Sequence, residues 1–263
     1  WERIFLGWEI PKVLSPNDTG VVSLAVRNKT LPLESSIIKI PISSSEYFLI
    51  ENRQRDANGD KANITMWVNG RIIQRNFQKD TTGFYSFDIA SLQGVVIDVD
   101  EFDWALPGSG ILIWHIDENI INQNLLTNKV NADINNRGIK LIEADGIKDI
   151  GVKFRTIFGD ELVGEGTQED FWYRGNEADL FKNVLDDESR PNSNSNSGAR
   201  SLISLKNFSD NSNRMTFNFS VGNESLALLS STQLPNFVKA ANVSSANHPS
   251  NNSYYITDEI NSK

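Results

Sequence analysis

The chain of 263 residues contains no cysteine and only two histidines, His115 and His248. The first absence excludes disulfides, thiolate nucleophiles and every zinc site built on sulfur. The second excludes an H-E-x-x-H zinc helix, whose two histidines must stand one helical turn apart. Positive charge is short as well: 25 Lys and Arg stand against 34 Asp and Glu, for a formal net charge of -9. A nucleic acid would meet net repulsion instead of a counterion-releasing basic stripe. Long apolar runs are missing, and the stretch around Gly110 to Ile116 falls far short of the roughly 18 residues of a membrane-spanning helix. Phosphate-cradling G-x-x-x-x-G-K-[ST] and G-x-G-x-x-G loops are missing, as is the G-x-S-x-G elbow of serine hydrolases. No basic-then-apolar leader opens the chain, which begins at Trp1; the expectation is an excised part of a longer polypeptide.

What is present is a β pattern. With 39% hydrophobic residues the chain is long enough to bury a real core. Short runs rich in Val, Ile, Phe, Tyr and Thr alternate with Gly, Asn, Asp, Pro and Ser turns. Strands are predicted at Val21 to Val26, Ser36 to Pro41, Glu46 to Asn52, Asn63 to Val68, Arg71 to Asn76, Gly94 to Val99, Gly110 to Ile116, Gly138 to Glu143, Ser201 to Phe208 and Arg214 to Val221. Val68-Asn69-Gly70-Arg71 is the strongest hairpin signal, because Asn-Gly accepts the positive φ angles of a two-residue type I′ turn. Apolar spacing predicts short helices at Glu118 to Leu126 and Glu177 to Leu185. The expected fold is mainly β: antiparallel sheets in a sandwich-like arrangement, with long loops and one or two short helices. Arg190 to Arg200 reads as a polar surface loop ordered at both ends. A β-rich domain is expected over 1–222, and 223–263, rich in Asn and Ser, reads as a linker or the start of a truncated module. Asn-x-Ser/Thr triplets at Asn28, Asn63, Asn207, Asn218 and Asn242 carry little weight in so Asn-rich a chain.

Acidic side chains in a loop-rich protein point to calcium, a hard cation held by carboxylate and carbonyl oxygens. Three sets of candidates stand out. Asp56, Asn58 and Asp60 place side-chain oxygens at alternate positions around Gly59, like the first half of an EF-hand loop, although Trp67 stands where the closing Glu would be. The competing reading is a polar turn between the strands around Ile50 and Ile64. Asp98, Asp100, Glu101 and Asp103 form a second cluster, read as a solvated strand exit. Glu51, Asp117, Glu143 and Asp145 each lie at or just past the end of an apolar strand and would form a carboxylate site, closed by Gly146, if those ends converge. Alternatively Glu51 pairs with Arg53 or Arg55. His115, inside an apolar strand pattern, reads as a hydrogen-bonded structural residue. Trp67, Trp104, Trp172 and Tyr173 are candidates for glycan or protein contact or for the core. Asp117 and Glu118 could serve a hydrolase, but no nucleophile, base and orienting group stand together.

The segments Trp1-Glu-Arg-Ile-Phe-Leu-Gly-Trp8, Glu46-Tyr-Phe-Leu-Ile-Glu-Asn-Arg-Gln54, Asp103-Trp-Ala-Leu-Pro-Gly-Ser-Gly-Ile-Leu-Ile-Trp-His-Ile-Asp-Glu118 and Arg137-Gly-Ile-Lys-Leu-Ile-Glu-Ala-Asp-Gly146 follow one another in order. Together with Ser189-Arg-Pro, Ser197-Gly-Ala199 and Met215-Thr-Phe217, they resemble the region downstream of the catalytic domain in immune inhibitor A-like secreted zinc metallopeptidases. The resemblance covers most of 1–221. It implies a secreted bacterial proteolytic protein, often containing calcium, whose zinc belongs to an upstream catalytic domain that this chain lacks. The expected role is a non-catalytic accessory domain, extracellular or at the cell surface, packed on that catalytic domain and stabilised by calcium. The alternative is an extracellular glycan- or protein-binding β module.

Overall fold

The computed structural model describes residues 1–26, 36–77, 94–101, 103–104 and 106–222. The chain divides into two compact units, Trp1–Gly222 and Asn223–Lys263, and all described residues belong to the first. The triplets at Asn28 and Asn242, His248 and the segment 223–263 lie outside the described residues.

The fold is mainly β, with several largely antiparallel sheets and two short α-helices among the described residues. The largest sheet runs, in spatial order, β1 (Lys12–Val13), β3 (Ile37–Pro41), β4 (Glu46–Arg53), β8 (Gly110–Asp117) and β9 (Ile139–Leu141). A second sheet holds β12 (Val184–Leu185), β13 (Ile203–Lys206), β14 (Arg214–Val221) and β2 (Gly20–Ala25). A third places β5 (Ala62–Val68) between β6 (Arg71–Phe77) and β7 (Val95–Val99), and β10 (Lys153–Arg155) with β11 (Glu161–Val163) forms an isolated pair. The one departure from antiparallel pairing between named strands is β1 against β3. β2 runs in the second sheet between them, so the chain returns to the first sheet pointing the same way.

β4 and β8 carry the core because both of their faces are covered. Inward residues Phe48, Ile50, Ile111 and Ile113 share one apolar cluster with Leu24, Leu205, Phe217 and Phe219 of the second sheet, so the two sheets pack as layers. On the opposite face Tyr47, Leu49 and Ile116 pack with Ile121, Trp1 and Ile4, which belong to α2 (Glu118–Asn124) and to α1 (Glu2–Phe5) with the residue before it. Double coverage explains why the sequence of β4 is a continuous apolar run instead of an alternating one. Each such buried side chain contributes roughly 1.5–3 kcal/mol.

The expected hairpin is present: Val68 pairs with Arg71, and Asn69 and Gly70 take φ of 49° and 80°. Helix α2 begins where predicted, with Asp117 capping it through bonds from the Asn119 and Ile120 amides. The predicted helix over Glu177 to Leu185 is absent. Asn176 there accepts the Ala178 amide in a local turn, a bond that competes with helical pairing, and Leu185 is buried as part of β12. The Arg190 to Arg200 loop is pinned along its length. Ser193 is buried and donates to the Ile203 carbonyl, while one Asp187 oxygen accepts the Ser201 amide. Among the described residues no helix is long and apolar enough to cross a membrane.

Candidate metal centre

The four strand-end carboxylates do not converge as one set, and the ladder between β4 and β8 shows why. Asp117 stands opposite Glu46, and Glu51 stands opposite Leu112. That offset of five positions along the pair is roughly 17 Å at strand rise. Asp117 is occupied: one oxygen caps α2 and the other accepts from Asn196 Nδ2 at 2.9 Å. Glu51 accepts from Trp114 Nε1 at 2.8 Å and pairs with Arg53 at 2.9 Å, while Arg53 also bonds Asp103. Burial works against the Arg53 charge, but the two carboxylates outweigh it and raise its pKa. Of the two partners the sequence allowed for Glu51, the structure selects Arg53. Glu51 and Asp117 therefore leave the candidate metal set.

Glu143 and Asp145 stay in it, joined by a residue that sequence reading did not single out. Ligand-type oxygens of Glu143, Asp145 and Asp170 lie within 4.8 Å of one another. Two oxygens on opposite sides of a calcium ion, each about 2.4 Å from it, are about as far apart. The frame is built from backbone amides. Glu143 and Asp145 flank Ala144 in a turn closed by the Gly146 amide on the Glu143 carbonyl at 3.1 Å. Gly146 has φ +78°, and a Cβ there would lie 3.3 Å from the Arg190 carbonyl oxygen, so glycine suits the position on both counts. Glu143 Oε2 accepts the Asp149 and Ile150 amides at 2.8 and 3.3 Å, and Asp145 Oδ1 accepts the Ile147 amide at 2.9 Å. Asp170 ends the short 3₁₀ turn Gln168–Asp170, where its Oδ2 accepts the Thr167 amide at 2.6 Å. The Ala144 amide bonds the Asp170 carbonyl and ties the two segments together.

The remaining Asp170 oxygen, Oδ1, is buried and has no hydrogen-bond partner among the described residues. Asp170 itself is 3% exposed. No ion pair among the described residues involves Glu143, Asp145 or Asp170. Burial, then the charges of Asp145, Glu143 and Asp149, push the Asp170 carboxyl up to about 7. Burial and neighbouring acids also raise Glu143 and Asp145. A buried carboxylate oxygen without a donor is costly unless a cation or proton meets it. The donor set is all oxygen, which suits calcium and not zinc.

The Asp56 to Asp60 loop joins β4 to β5, as the turn reading expects. Asp56 and Asp60 are exposed and meet buried Glu101, which follows β7 and accepts the Asn58 amide at 2.7 Å. The carboxylate near this loop thus comes from the residues just past β7 and not from position 67. Asp56 Oδ1 is used by the Lys61 amide, so the loop's known bonds are those of a turn. The acidic run after β7 disperses: Asp100 accepts from Asn63, Glu101 from Asn58 and Asp103 from Arg53.

His115 is 2% exposed, with Nε2 2.9 Å from Glu46 Oε2. Glu46 also accepts the Asn196 amide, and Lys140 Nζ donates to Asn196 Oδ1. The histidine belongs to a polar network beneath the 190–200 loop. Among the aromatic candidates Trp172 is fully buried, its indole N–H on the Ile142 carbonyl; Trp104 and Tyr173 are partly buried and Trp67 is exposed. Sequence reading missed Trp8, the most exposed tryptophan at 73%. No family model matches this chain, and neither does any curated protein or solved structure.

Proposed function

We propose that this chain is a non-catalytic accessory β domain stabilised by calcium, working outside the cell beside the zinc-bearing catalytic domain of an immune inhibitor A-like metallopeptidase. The observation that carries the calcium part is the donor-less, buried Asp170 Oδ1 beside Glu143 and Asp145. The accessory part is supported by the ordered motif segments and by the exposed apolar side chains Phe5, Leu6, Trp8 and Ile10 near the first strand, which suit burial against a neighbouring domain. His115, the one histidine among the described residues, is buried in a structural network and is not available to substrate.

The test is thermal unfolding of the chain in chelator and in millimolar calcium. A ligand at one hundred times its Kd adds about 2.7 kcal/mol to the native state, roughly 5–10 °C for a domain of this size. A rise of several degrees, absent in Asp170→Asn, is expected; an unchanged midpoint overturns the calcium reading. The second reading, a glycan- or protein-binding module, draws on exposed Trp8 and Trp67. It predicts glycan-array or partner binding that is lost on replacing either tryptophan.

A further inference from the structure

Glu143, Asp145 and Asp170 do more than meet: they hold both ends of one protruding segment. The chain leaves the five-stranded sheet through Glu143 and Asp145, runs out as β10, returns as β11 and re-enters the core at Phe171 and Trp172. At the outgoing end, the Asp149 and Ile150 amides donate to Glu143 Oε2. At the returning end, the Thr167 amide donates to Asp170 Oδ2. Between them Ile150 bridges to Gly164, the Gly151 amide bonds the Gly164 carbonyl at 2.8 Å, and Arg137 holds the Ile150 carbonyl at 2.9 Å. A Cβ on Gly164 would lie 2.1 Å from the Asp149 carbonyl oxygen, so the two ends meet at a distance only glycine permits.

Among the described residues, the hairpin beyond this neck has no other support in the sheets. Within that set β10 and β11 pair only with each other, and an isolated two-stranded hairpin is marginal in water. Every residue of both strands is exposed, including the cross-strand pair Phe154 and Leu162. At the tip Ile157 and Phe158 are 95% and 86% exposed. Apolar burial therefore does not fix the hairpin, and its neck is the frame of three carboxylates whose charges repel one another.

We infer that a hard divalent cation of calcium's size binds between Glu143, Asp145 and Asp170, and that this ion clamps the neck and so holds out the β10–β11 hairpin with Ile157 and Phe158 at its tip. The inference rests on the calcium reading above and adds what the ion controls. Joining the three carboxylates converts repulsion at the neck into a crosslink between its outgoing and returning ends. Opening the neck then requires losing the ion. Because the ion binds only the closed neck, opening is suppressed by the factor 1 + [L]/Kd, and exchange of the hairpin amides slows by up to about one hundredfold at one hundred times Kd.

The experiment is amide hydrogen exchange on the full chain in chelator and in calcium, with terbium luminescence sensitised by Trp172 as an independent readout of ion binding. Amides of 149–166 should slow at least tenfold in calcium, while those of β5 and β6 stay unchanged. Asp170→Asn should abolish both the slowing and the luminescence, and Asp56→Asn should abolish neither. Asp145→Asn, at a partly buried position, serves as the second variant if Asp170→Asn does not fold. Ion binding without slower exchange at 149–166 overturns the clamp and leaves the calcium reading standing. No terbium signal and no calcium effect on unfolding overturn both. Loss of binding in Asp56→Asn, but not in Asp170→Asn, moves the ion to the other loop and also overturns the clamp.

Discussion

His115 is neutral in the folded chain at physiological pH, because burial, then the charge of Lys140, pushes its pKa down to about 4 from the ordinary histidine value of about 6.5. Glu46 and Asp117 face it and partly offset that shift. Between those two pH values the unfolded chain takes up a proton that the native chain refuses, so stability from this group falls as pH falls through the window. The full effect is up to about 3 kcal/mol. Asp170 has the opposite sign, since its raised pKa keeps a proton that the unfolded chain releases, and stability is lost as pH rises from about 4 to about 7. The clean measurement is therefore a difference. Between pH 7 and pH 4.5 in chelator, the wild type should lose about 1–3 kcal/mol more unfolding free energy than His115→Gln, as read from denaturant midpoints. Equal losses would remove His115 from the acid response.

For single elements, the structure assigns Asp117 to helix α2 and not to a metal. An Asp cap replaced by Ala costs about 0.5–2 kcal/mol, whereas Asn caps nearly as well. Asp117→Ala should lower the unfolding free energy by about 1–2 kcal/mol and Asp117→Asn by less, with the calcium-induced shift intact in both. Loss of that shift would return Asp117 to the metal site. Elements whose chemistry is local were legible beforehand: the Asn69-Gly70 turn, the start of helix α2 at Glu118 and the long apolar strands β4, β8 and β14. The β10–β11 hairpin was not, because its apolar residues neither alternate toward a buried face nor form a continuous run, and they remain exposed. The segment Glu177 to Leu185 misled for a related reason: its apolar spacing serves a two-residue strand and turn contacts, not a helix face.

Across the whole molecule, the layering of the five-stranded and four-stranded sheets carries the stability. Phe217 is fully buried between them, so Phe217→Ala should cost about 3–5 kcal/mol in chemical unfolding. Trp67→Ala, on an exposed face of the three-stranded sheet, should cost far less. If the two variants lose equal stability, the shared core is not the organising feature.

The amino-acid order by itself determined the β class, most strand positions, the Asn-Gly turn, the start of α2 and the exclusion of a zinc helix, since each depends on residues within a few positions. It also marked Glu143 and Asp145 as candidate ligands. Only the tertiary structure decided which acids meet. Asp170 joins Glu143 from 27 residues away and Glu101 joins Asp60 from 41, while Glu51 and Asp117, grouped with Glu143 by their similar strand-end positions, are spent on Arg53 and on a helix cap. Strand periodicity fixes which face a side chain takes and is blind to which loops the sheet order brings together.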